Sequence, residues 1–109
     1  NKSFIYIPDI DKWNKWDKDL QEIVEQNNYL FLDGTFAEQN ELPGRNMSEI
    51  PHPFIVETME LLKDVKNKSK IYFIHLNHTN TALMPNSQIS FKMEEQGFRI
   101  AKYKEKFKL

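Results

Sequence analysis

With 109 residues and a formal net charge of −1, the chain has room for one small domain or part of a larger one, and it offers no electrostatic case for a nucleic-acid partner. Hydrophobic residues at 39% and charged residues at 28% match a globular protein rather than a disordered or membrane-spanning one. There is no cysteine, which excludes disulfides, thiolate metal sites and a Cys nucleophile; no apolar run reaches membrane-spanning length, no signal peptide is visible, and a cytoplasmic location is expected.

Residues 3–7 (SFIYI) read as a strand, apolar on both faces and therefore expected at the centre of a sheet. Pro8 stops the ladder, and Asp9 and Asp11 follow. Asp9 on its own is equally well a turn residue. Trp13 and Trp16 read as a packed staple. Asp17 is the expected N-cap of an amphipathic helix carrying Leu20, Ile23 and Val24 on one stripe through about residue 27. Tyr29–Leu32 is the second strand. Strand, helix and strand with short connections imply a βαβ unit with parallel strands.

Asp33-Gly34-Thr35-Phe36 begins a long polar stretch that contains Gly44-Arg45-Asn46 and runs to Pro51. A structureless stretch of that length is expected to be a functional loop at the strand tips. Pro51-His52-Pro53 opens the second helix, with Pro53 at the first helical position and His52 at the cap or beside it. Phe54, Ile55, Thr58, Leu61, Leu62 and Val65 form its buried stripe. A third strand spans 70–75, a short helix runs from about Ser87 to Gln96, and Gly97 ends it. Phe98–Tyr103 and Lys106–Leu109 are strand-like and lysine-rich, as sheet edges are. Arg99, Lys102, Lys104, Lys106 and Lys108 make this tail basic, a solvated face rather than a polyanion site.

Three strands thus deliver polar groups at their carboxyl ends: Asp9, Asp33, and His75 with Asn77, His78 and Asn80. Ligands in open α/β sheets sit just outside those ends. His and Asp ligate zinc, iron or manganese, but so few donors do not close a site; without metal, His52 and His75 with Asp33 suit general acid/base work. Ser48, Ser69, Ser87 and Ser90 lie in no nucleophile motif. Asn77 and Asn80 are expected to fix their loop through backbone hydrogen bonds.

The ordered set Y-I-P-D (6–9), L-F-L-D-G-T-F (30–36), P-H-P (51–53) and F-I-H-L-N-H-T-N (73–80) resembles the C-terminal half of the metallo-β-lactamase-fold superfamily. Within it, the set is most similar to the coenzyme PQQ biosynthesis protein B (PqqB) family, with its V-P-D, F-D-G-T-F, G-H-M-P-like and F-I-H-x-N-N-T-N motifs. Gly97-Phe98-Arg99-Ile100-Ala101 matches that family's terminal G-[WF]-x-[VI]-A. The resemblance implies half of an αββα sandwich: a βαβαβ core followed by a short helix and terminal strands, with residues 1–109 as a single partial domain. It implies that Asp9 and His75 are metal ligands and that the ion is a divalent metal, zinc first and iron or manganese next. Where this chain has L-D-G-T-F, the ribonuclease Z branch has H-E-A-T-F and a histidine at the start of the next helix. By that likeness Asp33 orients His52, and His52 donates a proton. His78 stands where the family has Asn and reads as a loop residue.

The H-x-H-x-D-H ligand cluster of the superfamily is absent. The chain, which begins without Met and almost directly in a strand, therefore reads as a fragment or one piece of a split protein. Its partners are expected to be the missing N-terminal half or a second copy, and a small-molecule substrate. The implied activity is that of a metal-dependent hydrolase using a metal-bound water or hydroxide, with the isolated chain inactive. The alternatives are a phosphodiesterase- or ribonuclease-type member, a non-catalytic small-molecule carrier or binding module, and a plain structural α/β domain with polar strand tips.

Overall fold

A computed structural model describes residues 2–39, 41, 44, 46 and 49–107. The elements in chain order are β1 (Phe4–Ile7), α1 (Leu20–Gln26), β2 (Tyr29–Asp33), α2 (Ile55–Leu61), β3 (Ile71–Ile74), α3 (Gln88–Gln96) and β4 (Arg99–Ile100). Short 3-10 turns cover Trp13–Lys15, Lys68–Lys70 and Thr81–Leu83. The four strands lie in the order β1-β2-β3-β4, and every neighbouring pair is parallel.

The register explains why each strand is apolar on both sides. Ile7, Leu32, Phe73 and Ile100 align across the sheet, as do Ile5, Leu30 and Ile71. This face meets Leu20 and Val24 of α1, Ile55 and Met59 of α2, and Ile89 and Met93 of α3 in one core. Leu30, Leu32, Ile71 and Phe73 are fully buried there, each burial worth about 1.5–3 kcal/mol. The opposite face is aromatic. Phe4 and Tyr72 flank Phe31 at ring distances of 6.1 and 5.8 Å. Phe107 returns from the tail onto Tyr29, Phe31 and Tyr72 at 5.3, 5.0 and 5.0 Å.

Several expectations are corrected. β1 is not central: it pairs with β2 alone among the described strands, and Phe4 and Tyr6 are exposed. In β1 the second apolar set, Phe4 and Tyr6, faces outward, although Tyr72 of β3 on the same aromatic face is buried. The cap of α1 is Asp19, not Asp17; its carboxylate accepts from Gln21 N and Glu22 N. Asp19 immediately precedes Leu20, the first residue that α1 buries. Pro53 is not the first helical residue of α2. Phe54 keeps extended backbone, bridges to Phe36 and donates its N–H to Glu57 Oε1 at 2.7 Å, so the helix starts at Ile55, two residues after Pro53. Leu61 is exposed, because α2 ends there and the following turn buries Leu62 and Val65 instead.

The strand expected over 98–103 shrinks to Arg99–Ile100. Lys102 N bonds Glu105 Oε1, Lys104 takes φ 59°, and the chain turns back to seat Phe107. Lys106 and Phe107 are not in a strand, and Lys108 and Leu109 lie outside the described residues, as do Arg45 and Ser48. α3 and its limits are as expected: Ser87 Oγ caps it, and Gly97 closes it at φ 95°, a left-handed conformation that suits glycine.

Candidate functional site

The parallel order places the carboxyl ends of β1, β2 and β3 along one edge of the sheet. Asp9 follows β1, Asp33 is the last residue of β2, and His75 follows β3. His52 reaches the same edge from the segment before α2. It lies between two prolines, which restricts its backbone to extended conformations and removes two competing N–H donors.

Asp33 is fully buried, yet every acceptor position of its carboxylate is used. Oδ1 accepts from Thr35 N at 2.9 Å and Thr35 Oγ1 at 2.7 Å. Oδ2 accepts from Ile10 N at 3.2 Å and faces His52 Nδ1 at 2.7 Å. Two oxygens accommodate about four hydrogen bonds, so the shell is complete and the cost of burying the group is offset by its donors. A carboxylate offers only acceptors, which puts the hydrogen of His52 on Nδ1 and leaves Nε2 for a ligand. Phe36 packs edge-on to the imidazole at 6.1 Å.

Asp9 differs from Asp33 in every respect that matters for binding. Its side chain is 77% exposed, and its Oδ1 lies 3.5 Å from His52 Nδ1. Asp9, Asp33 and His52 each offer a metal-type atom, and the three atoms lie within 4.8 Å of one another. His75 is exposed at the neighbouring tip, outside that group, and holds a left-handed backbone with φ 61°. Such a conformation is sparsely populated for a residue with a side chain. Asp11 is outside that group, its carboxyl held below its ordinary value by the hydrogen bond from Lys12 N and then by Lys15.

The loops behind the site are stitched together. The amide nitrogen of Asn80 donates to Gly34 O at 2.7 Å and to Thr35 O at 3.2 Å, while its oxygen accepts from Ala82 N at 2.8 Å. Asn77 N donates to Thr35 O at 2.9 Å, whereas its side chain bonds Thr79 Oγ1 rather than backbone. Glu41 accepts from Ala37 N and from Thr79 Oγ1, both at 2.7 Å. His78 is exposed in this loop. Sequence reasoning passed over Thr35. Its signal was the D-G-T spacing, in which an Asp side chain accepts from the N–H two residues on.

Fold and site together define an α/β domain whose parallel sheet gathers acid and imidazole groups at its carboxyl edge. The solved structure of zinc-bound PqqB from Methylobacterium extorquens has the same fold over 93% of this chain, with a TM-score of 0.68 at 22% identity. The likeness covers 35% of that protein, so the chain spans about a third of its length. The likeness is one of fold, and it bears out the α/β architecture that the sequence motifs imply. No family model matches the chain, and no curated protein matches its sequence. No helix among the described residues is long and apolar enough to cross a membrane.

Proposed function

We propose that the chain forms part of a metal-dependent, hydrolase-like enzyme of the PqqB kind, and that its contribution is one metal-binding edge with an acid/base pair. The observation that carries this reading is the 2.7 Å contact between His52 Nδ1 and the buried Asp33, with the exposed Asp9 carboxylate beside it. The donor types suit zinc, and iron or manganese next. Asp33 is committed to its four donors, so direct ligation falls to Asp9, with His75 as the second ligand. A catalytic zinc takes three protein ligands and keeps one position open, so further ligands come from polypeptide beyond this chain or from a second copy.

When bound, such an ion polarises an oxygen and makes hydroxide available near neutral pH. The chain's own residues do the rest. Asp33 holds the imidazole in one tautomer and orientation. His52 Nε2, when protonated, donates to a leaving group at the sheet edge; Phe36 shields one side of the ring. The substrate is a small molecule with a hydrolysable bond, and a phosphodiester is the second choice, on the likeness of the His52–Asp33 pair to the ribonuclease-type branch. A carrier without turnover is the competing class, favoured by the small number of free donors.

Zinc titration by calorimetry tests the reading. The wild-type chain binds zinc, and Asp9→Ala and His75→Ala each weaken binding by about tenfold or more, the scale of one ligand-shell contact. Unchanged affinity in both variants, or no binding by the wild type in any assembly state, would remove the metalloenzyme reading.

A further inference from the structure

We propose that Thr35 is a positioning residue for His52, acting through the carboxylate of Asp33. The inference rests on the reading of His52 and Asp33 as the proton-handling pair. Thr35 supplies both donors to Oδ1, its N–H at 2.9 Å and its hydroxyl at 2.7 Å. Together they fix the carboxylate plane so that Oδ2 faces Ile10 N and His52 Nδ1.

The hydroxyl is not needed to make the turn. Its backbone is already held by Gly34 N to Ile74 O at 2.8 Å, by Asn77 N to Thr35 O at 2.9 Å, and by the Asn80 amide on Gly34 O and Thr35 O. Removing the Thr35 hydroxyl therefore leaves the turn standing but takes away the shorter of the two bonds on Oδ1, so the carboxylate can rotate about the remaining Thr35 N–H. A rotated carboxylate no longer fixes the Nδ1–H tautomer, and Nε2 stops being the outward-facing nitrogen with a single role.

The test is nitrogen-15 NMR of the full chain labelled at histidine, with no metal added. In the wild type the His52 hydrogen resides on Nδ1 and exchanges slowly with water. In Thr35→Val it exchanges roughly tenfold faster, the size of one lost charge-assisted hydrogen bond, and the Nδ1–H tautomer loses its excess, while backbone amides away from 33–35 keep their shifts. Thr35→Ser restores the wild-type behaviour. Should Thr35→Val not fold, Thr35→Ala carries the same expectation. Wild-type tautomer and exchange in the Val or Ala variant would overturn the proposal, and so would a Ser variant that behaves like Val. Asp33→Asn, run in parallel, separates the two claims. If it alters His52 while Thr35→Val does not, the pair stands and Thr35 has no positioning role. If it leaves His52 unchanged, the pair itself is wrong and the proposal falls with it.

Discussion

The side-chain amide of Asn80 grips the carbonyl of Gly34 at 2.7 Å across 46 residues of sequence, and that bond ties the loop after β3 to the turn after β2. The same amide reaches Thr35 O and Ala82 N, and Asn80 is fully buried. The site's geometry depends on this knot, because Asp33 and Thr35 lie on the turn it holds.

Asn80→Ala strands two buried backbone groups, Gly34 O and Ala82 N. A buried group left without its partner costs about 1–3 kcal/mol, so the variant loses about 3 kcal/mol by urea denaturation. An Asn80→Ala protein as stable as wild type would mean that water replaces the amide.

Gly34 is required for space rather than for backbone freedom. A Cβ there would lie 2.8 Å from Phe73 Cβ, 3.1 Å from Ile74 O and 3.2 Å from Leu76 Cδ1. Phe73 Cβ and Ile74 O belong to a buried strand and give way little. Gly34→Ala is therefore destabilised by about 2 kcal/mol, in the range for overpacked cores, with broadened or shifted Phe73 resonances as the local sign.

Trp13 and Thr58 join the segment after β1 to α2. The indole Nε1–H donates to Thr58 Oγ1 at 2.7 Å, both residues are buried, and Trp16 packs on Trp13 at a ring distance of 5.3 Å. Thr58→Val keeps the shape and removes the acceptor. Calorimetric unfolding should show a loss of about 1–3 kcal/mol, the cost of an orphaned buried donor, whereas Trp13→Phe with Thr58→Val should recover part of it.

Much of this was legible in the sequence, for identifiable reasons. The βαβ order follows from short apolar runs separated by one helical stripe, and Ser87 with Gly97 brackets α3 by ordinary capping chemistry. What local pattern left undecided was which of two faces a strand buries. β1 reads as central because Phe4 and Tyr6 are as apolar as Ile5 and Ile7, yet the first pair faces outward. Two aspartates, Asp17 and Asp19, both suit the cap of α1, and tertiary burial of Leu20 coincides with the second. The closeness of Asp33 and His52 came from the resemblance, since they lie 19 positions apart in sequence and no periodicity connects them. The bonds from Thr35 and Ile10 are products of tertiary packing, and only the D-G-T spacing hinted at the first; backbone bonding by Asn80 was expected, but its partners across the turn after β2 were set by the fold.

The most direct test of the account is anomalous diffraction from crystals of this chain grown with zinc. The account predicts an ion within ligand distance of the Asp9 carboxylate, with Asp33 still bonded to Thr35, Ile10 N and His52 Nδ1. An ion bound by Asp33 itself, or zinc found only away from the carboxyl edge of the sheet, would contradict it.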